Sequence, residues 1–310
     1  MKQTTSNILM IEPTNFGFNL DAAHTNSFQK PAEELTALQV QDSALLEFQA
    51  MVRNLKAANV DVIIFQDLIN SCTPDSIFPN NWFSTHSDGK LITYPMEPAN
   101  RRAERRQDII DYLVAHFGFK EHVKLEKYED LPAPKFLEGT GSVVLDRVNK
   151  IAYAALSPRT ELEPLQELCA TIGYNPVTFK AYGPSQELIY HTNVMLCVSD
   201  TFAVVGLDAV DVQDRENLLQ HLKDSGKEVI LLTKSQTHHY FAGNMLQVEN
   251  RQRQKILVLS QAAYDSLTPE QLKALEQHND QLLSFPVHLI ERCGGGSVRC
   301  MIAEIFKPEN

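Results

Sequence analysis

Near its C-terminus the chain reads Gly294-Gly295-Gly296-Ser297-Val298-Arg299-Cys300, followed by the alternating apolar run from Met301 to Phe306. Three consecutive glycines give a backbone free to turn sharply and to approach a ligand, so the segment predicts a turn that delivers Cys300 among the first residues of a strand. A thiol held there is a candidate nucleophile, although a lone cysteine is more often a small buried hydrophobe. Other polar residues fall at comparable places. Pro79-Asn80-Asn81-Trp82, Phe136-Leu137-Glu138-Gly139-Thr140-Gly141, Tyr190-His191-Thr192-Asn193 and Ala242-Gly243-Asn244 each precede a run of strand-forming residues. A carboxylate, an imidazole, a thiol and several amides gathered in one small volume are the parts of covalent thiol catalysis: a group that orients the base, a general acid/base and a nucleophile.

Those parts meet only if the elements behind them are arranged about a common point. Apolar runs of period two pair across polar turns at residues 82–84 with 91–94, 142–145 with 151–154, 194–198 with 202–205, and 245–248 with 256–259. A further pairing takes 298–306 with 7–11 and brings the termini together. Successive units begin roughly 50 to 60 residues apart, a spacing that points to a repeated supersecondary unit. Between them the pattern predicts helices over 42–58, 102–117, 161–172, 214–225 and 268–279, with single strands at 60–65 and 228–232. Strand pairs and helices that alternate in this way, closed by the termini, predict a radial α/β arrangement around a central site. No Pro/Ser/Gly-rich linker divides the sequence, so residues 1–310 read as one domain.

Composition narrows the partners. A formal charge of −11 argues against a general nucleic-acid or anionic-membrane binder, since both are polyanionic. The one dense basic cluster, Arg101, Arg102, Arg105 and Arg106, is interleaved with Glu104 and Asp108 at helical spacing and reads as a solvated helix face. The N-terminal apolar run, residues 8–11, is far too short for a secretory or spanning segment. Five cysteines without any C-x-x-C pair fit reduced thiols in a cytoplasmic protein. His238-His239 lacks a zinc-site context and reads as surface, so neither a metal nor a cofactor is expected.

Taken in order, F-x-E-G-x-G at 136–141, an H-x-N/D strand at 191–193, the amide Asn244 and G-G-G-S-x-x-C at 294–300 resemble the guanidino-group modifying enzymes of the arginine deiminase and amidinotransferase superfamily. The stretch Pro79-Asn80-Asn81-Trp82 is similar to that of the citrulline-utilisation hydrolase type. The resemblance implies a five-bladed, pseudo-symmetric α/β propeller, the pentein fold. It implies that Cys300 attacks the central carbon of a guanidino or ureido group and that His191 acts as general acid/base. Glu138 would hold substrate nitrogens and pair with His191, raising its pKa. Asn80, Asn81, Asn193 and Asn244 would bind substrate, with Arg299 as a clamp for its carboxylate. An ordinary thiol, with a pKa of about 8.5, is only slightly ionised at neutral pH, so such a nucleophile needs help from its surroundings.

Arginine-processing relatives carry aspartates where this chain has Asn80-Asn81 and Asn193, and one where it has Ser142. Amides keep donors and acceptors but remove the charge that a guanidinium pairs with, which points to a neutral ureido group such as that of citrulline. The expected activity is therefore hydrolysis of a C–N bond in a citrulline- or arginine-like small molecule. The alternatives are amidino transfer to an amine and a catalytically idle pentein serving as a binding module. The sequence leaves a homodimer open.

Overall fold

Ile8, Leu9, Met10 and Ile11 are all buried, yet they serve two different cores. Ile8 and Met10 pack with Val248, Ile256 and Val258, whereas Leu9 and Ile11 pack with Phe83 and Leu91. A strand that is apolar on both faces has to lie between two layers, and here the two layers are neighbouring sheets of a ring. The structure, a computed structural model, describes residues 2–68 and 72–309.

Among the described residues fifteen strands form five three-stranded sheets. The first contains β1 (Asn7–Glu12) and β2 (Asp61–Gln66), the second β3 (Phe83–Thr85), β4 (Lys90–Thr93) and β5 (Glu121–Lys124). The third holds β6 (Val144–Asp146), β7 (Ile151–Ala155) and β8 (Asn175–Phe179), and the fourth β9 (Leu196–Val198), β10 (Phe202–Val205) and β11 (Glu228–Leu231). The fifth holds β12 (Leu246–Glu249), β13 (Lys255–Ser260) and β14 (Gln281–Phe285), and β15 (Ala303–Glu304) returns to β1 in the first sheet.

Every sheet follows one rule: the middle strand runs antiparallel to the inner strand and parallel to the outer one. The parallel step needs a crossover. The helices Ala37–Ala57, Gln107–Phe117, Leu162–Ile172, Val212–Asp224 and Pro269–Gln277 supply it. Thr36 and Thr268 open two of these helices with capping boxes to Gln39 and Gln271, and Gly118 and Gly173 close two others in the left-handed region that favours glycine.

Five apolar clusters fill the five gaps between adjacent sheets, the gap between the last and the first included. An open row of five sheets would have only four such gaps, so the clusters themselves show the ring to be closed. Each fully buried Ile or Leu adds about 1.5–3 kcal/mol of transfer free energy, so the ring is held mainly at these seams. The fold is the five-bladed α/β propeller, and the N- and C-terminal strands share one sheet as expected, with Leu9 opposite Ala303.

Three expectations need correction. Residues 298–301 form a turn, not the start of a strand, and the closing strand is only Ala303–Glu304. The helix expected over 102–117 is split: a 3-10 turn covers Ala99–Glu104, the chain extends at Arg105 and Arg106, and the α-helix begins at Gln107. The outer strands β5, β8 and β14 escaped notice because they are short and largely half-exposed, with no clean alternation. Among the described residues no helix is long and apolar enough to cross a membrane.

Candidate active site

Each inner strand is preceded by a short turn, and these turns carry the reactive side chains. Before β3 lies the 3-10 turn Pro79–Asn81, before β6 the turn Gly139–Ser142 that follows Glu138, and before β9 the turn Thr192–Val194 that follows His191. The glycines of E-G-x-G are explained by crowding. Gly139 has a positive φ of 50°, and a Cβ there would strike the Asn80 carbonyl. A Cβ on Gly141 would run into the Asn81 amide and come within 2.7 Å of His191 Nδ1. Small residues at both positions let three blades converge on one point.

The triple glycine does comparable work for the thiol. Gly294 ends the helix His288–Gly294 and Gly295 caps it with a φ of 62°. A side chain on Gly294 or Gly296 would press into the ring of Phe78. The chain then turns, with the Cys300 N–H donating to the Ser297 carbonyl at 2.9 Å. Cys300 is buried, and its Sγ accepts from Asn193 Nδ2 at 3.4 Å and Asn244 Nδ2 at 3.3 Å. Two side-chain amides thus converge on the sulfur with their N–H groups. Asn244 is itself fixed, because its Oδ1 accepts the Arg299 backbone N–H at 3.0 Å.

Glu138 and His191 are a buried pair, Oε2 to Nε2 at 2.8 Å. Glu138 Oε1 also accepts the Glu97 N–H at 2.9 Å. Arg159 Nη1 and Arg101 Nη1 stand 3.6 and 3.7 Å from its Oε2. Burial alone would raise the Glu138 carboxyl, but Arg159, His191 and Arg101 together hold it below the usual carboxylate range. For His191 the balance runs against expectation. Burial depresses its pKa more than Glu138 raises it, with Arg159 and Arg101 adding to the depression, so the ring is neutral at rest and its Nε2 proton points at Glu138.

Arg101 is no solvated helix residue. Its guanidinium is buried, grips Glu104 through Nε at 2.8 Å and Nη2 at 2.9 Å, and donates from Nη1 to Asn81 Oδ1 at 3.1 Å. Asp75 stands 3.8 Å from its Nε and accepts from Asn19 Nδ2 at 2.7 Å. Burial pushes the carboxyls of Asp75 and Glu104 upward while Arg101 pulls both back. The rest of the basic cluster does face outward in part: Arg105 pairs with Glu129 and Arg106 with Asp108.

Asp75, Phe78, Asn81, Arg101, Arg159, Tyr190, His191 and Cys300 line one narrow cavity. Of the seven buried side-chain polar atoms without a hydrogen-bond partner among the described residues, Asp75 Oδ1 and Asn81 Nδ2 belong to residues that line it, and both amide atoms of Asn80 and Asn193 Oδ1 belong to the adjoining turns. Buried polar groups are normally satisfied, so this concentration of orphans marks a place built for a polar ligand.

Of the predicted site residues, Cys300, His191, Glu138, Asn81, Asn193 and Asn244 come together, and Asn80 is buried directly behind them with its carbonyl against Gly139. Arg299 does not join them. Its guanidinium turns away from the cavity to the Ile302 carbonyl at 3.0 Å and Glu304 at 3.1 Å, because neighbouring residues of a tight turn point in different directions. Asp75, Arg101 and Arg159 were missed. Asp75 had a readable signal, since it stands five residues ahead of Asn80 in the same apolar segment, whereas Arg159 had none. His238, expected at the surface, is buried and bonds the Tyr182 carbonyl, while His239 is exposed; among the described residues no group of His, Cys, Asp and Glu is arranged to hold a metal ion.

The family model for eukaryotic N,N-dimethylarginine dimethylhydrolase matches residues 12–307. The chain belongs to this family. It is thereby an enzyme of the arginine deiminase and amidinotransferase superfamily, in a branch of cysteine-dependent hydrolases of non-peptide C–N bonds. Solved structures share the fold over nearly the whole chain. A variant of the N-terminal domain of ArgZ, covalently bonded to a reaction intermediate, superposes with a TM-score of 0.74 at 16% identity, covering 97% of this chain and 99% of that one. ArgZ is an arginine dihydrolase of Cyanobacteria. Unliganded AgrE gives 0.74 at 16% identity over 98% of this chain, but only 40% of the longer AgrE chain. A dimethylarginine dimethylaminohydrolase variant, as its adduct with S-methyl-L-thiocitrulline, gives 0.64 at 15% identity over 96% of this chain and 98% of that one. No curated protein matches the chain.

Proposed function

We propose that this family member, as one propeller domain, hydrolyses a C–N bond in the ureido or guanidino group of an amino-acid-like small molecule through a covalent intermediate on Cys300. The observation that carries the reading is the convergence of Asn193 and Asn244 on the Cys300 sulfur, in the turns whose neighbours hold the His191–Glu138 pair. The Cys300 thiolate attacks the central carbon, and the two amides that converge on the sulfur are released as the S–C bond forms. The proton that the Cys300 thiol gives up passes through the neutral His191 ring to the departing nitrogen, which leaves as ammonia or an amine. The same ring then takes a proton from water, the resulting hydroxide attacks the S-linked carbon, and the thiolate departs. Glu138 orients His191 and offsets the charge that the ring gains.

For the substrate's carboxylate the geometry supports Arg159 in place of Arg299. Arg159 lines the cavity, with Nε and Nη2 anchored on Thr25 and the Ala22 carbonyl, so that the guanidinium is held at a fixed angle. Asn81 and Asn193 near the reacting centre favour a neutral ureido group, as in citrulline. A guanidino substrate is favoured by one specific feature, the unpartnered Oδ1 of Asp75 on the cavity wall. Incubation with citrulline, arginine, agmatine and N-acylarginines, scored for ammonia, ornithine and carbon dioxide, separates these readings. Turnover that requires added glycine or ornithine would move the activity to amidino transfer, and no turnover of any of them would overturn the hydrolase reading.

A further inference from the structure

Three glycines in a row let the chain pass close to Phe78, but they also leave its backbone free to move, so Cys300 is placed only as well as this turn is braced. From its own side the turn is fastened by the Gly295 N–H on the Glu291 carbonyl at 2.9 Å and by Ser297 Oγ on Glu291 Oε1 at 2.6 Å. From the N-terminal segment, Asn26 Nδ2 reaches the Gly294 and Gly295 carbonyls at 3.4 and 3.5 Å, the outer limit of a hydrogen bond. A closer bond comes from the fourth blade, past the fifth: the hydroxyl of Tyr190 donates to the Gly295 carbonyl. Gly296 follows directly, and a Cβ on it would stand 3.3 Å from the Cβ of Cys300, so a shift of the peptide between Gly295 and Gly296 is felt at the nucleophile.

Tyr190 is well fixed at its own end. It is 3% exposed and forms part of the wall of the catalytic cavity. Its carbonyl accepts from Ser157 Oγ at 2.8 Å and Thr160 Oγ1 at 3.3 Å, and Phe28 packs edge-on against its ring with centroids 6.0 Å apart. The ring lies against the imidazole of His191, 4.5 Å between centroids, and the guanidinium carbon of Arg159 stands 5.2 Å from its centre. Burial, and after it the nearby Cys300 sulfur, hold the phenol well above its ordinary pKa, so the hydroxyl keeps the proton that it donates. One side chain therefore meets the imidazole with its ring and the nucleophile's turn with its hydroxyl.

We propose that Tyr190 is a positioning residue of the reaction: the bond from its hydroxyl to the Gly295 carbonyl sets the spacing between the Cys300 sulfur and the His191 ring. This rests on Cys300 as nucleophile and His191 as acid/base, and adds the part that holds the two in register. The hydroxyl itself moves no proton in the reaction.

Tyr190→Phe removes the hydroxyl and keeps the ring, and is compared with the natural protein on whichever of citrulline, arginine, agmatine and N-acylarginines is turned over. The value of kcat should fall about tenfold or more, as when reacting groups lose register, while KM stays within about twofold because Arg159 and the ring keep their places. Both limbs of the pH profile should stay where they are. Tyr128→Phe, which removes a tyrosine hydroxyl bonded to Glu167 outside the cavity, should leave kcat unchanged. Tyr190→p-aminophenylalanine restores a donor at the same place and should bring kcat back to within about threefold of the natural value. An unchanged kcat in Tyr190→Phe, a loss confined to KM, a vanished pH limb, or an equal fall in Tyr128→Phe would each overturn the assignment. If Tyr190→Phe does not fold, the p-amino variant decides alone, and a loss of tenfold or more in it would overturn the brace. Absence of turnover by the natural protein would sink the hydrolase reading and this assignment with it, a result distinct from turnover that Tyr190→Phe retains.

Discussion

In the turns ahead of the inner strands Asp75, Glu104 and Glu138 surround Arg101 and Arg159, whereas a second cavity that runs along those strands is lined by Arg147 and by the paired Arg299 and Glu304. The first cavity has a surplus of carboxylate, a collection of unpartnered amide atoms and a thiol. The second has a surplus of cation and side-chain amides that are already bonded, Gln3 to the Leu145 and Val198 carbonyls and Gln247 to Asn279. Both cavities arise from one construction, five inner strands converging on an axis. What separates them is which side chains of the turns and inner strands point into one cavity and which into the other. Polar groups left unsatisfied around the first cavity cost stability that only a ligand recovers, as expected of a site for chemistry.

The comparison breaks if residues of the two cavities have interchangeable effects. The largest predicted effect is at Cys300. Cys300→Ser should lower kcat by about 10³-fold or more while leaving the melting temperature within a few degrees, because the oxygen fits the same space but is a far poorer nucleophile here. Turnover at the natural rate in this variant would remove Cys300 from the mechanism and leave the first cavity without its defining group.

Next comes the His191–Glu138 pair. Glu138→Gln should cost roughly 10²–10⁴-fold in kcat, the range of a disrupted general acid/base. The pH profile carries the sharper information. Glu138 is the influence that raises the His191 pKa against burial, Arg159 and Arg101, so without its charge the ring should become still harder to protonate. The acid limb of kcat/KM should therefore move to lower pH in Glu138→Gln; movement to higher pH would contradict the arrangement seen here. Stability follows the same sign. A histidine whose folded pKa lies below its unfolded value stabilises the protein fully above about pH 6.5, and that contribution is lost as pH falls through the folded pKa.

These outcomes bear on how much of the molecule could be read before its structure was known. The five-unit plan was legible because each unit repeats a period-two hairpin followed by a helix, and because the chemistry-bearing residues stand just ahead of the hairpins. The outer strands were not, since β5 reads Glu121-His122-Val123-Lys124 and β8 contains Pro176, patterns set by an exposed edge more than by a core. Arg101 was misread for a different reason. Alternating Arg and Glu look like a wet helix face, but Pro98 and the extended backbone at Arg105 and Arg106 shorten the element to a 3-10 turn, which drives Arg101 inward onto Glu104 and Asp75. No local pattern distinguishes a buried guanidinium from an exposed one. Beyond the nearby Glu104, only the positions of Asp75, Asn81 and Glu138, distant in the chain, do so.

A smaller effect sharpens the charge comparison within the first cavity. If Asn193 reads a neutral ureido group, Asn193→Asp should shift the citrulline-to-arginine ratio of kcat/KM about tenfold toward the cation, a difference of about 1.4 kcal/mol in transition-state binding. An unchanged ratio, with arginine preferred by the natural protein, would leave Asp75 as the group that sets substrate charge.

The smallest predicted effect on catalysis is at Arg299, and it separates the two cavities most cleanly. Its side chain holds Glu304 and the Ile302 carbonyl, and only its backbone N–H supports Asn244. Arg299→Met keeps that N–H, so KM should stay within about twofold of the natural value. It strips Glu304 of its counter-ion in a largely buried place, however, which should cost about 3 kcal/mol in denaturant unfolding. Adding Glu304→Gln to Arg299→Met should restore much of that loss, because the uncompensated charge is then gone. Arg159→Met should do the reverse, raising KM for any carboxylate-bearing substrate by tenfold or more, a difference of about 1.4 kcal/mol in binding. If Arg299→Met raised KM as Arg159→Met does, the guanidinium beside the nucleophile would be a substrate clamp after all, and the division of labour between the two cavities would fail.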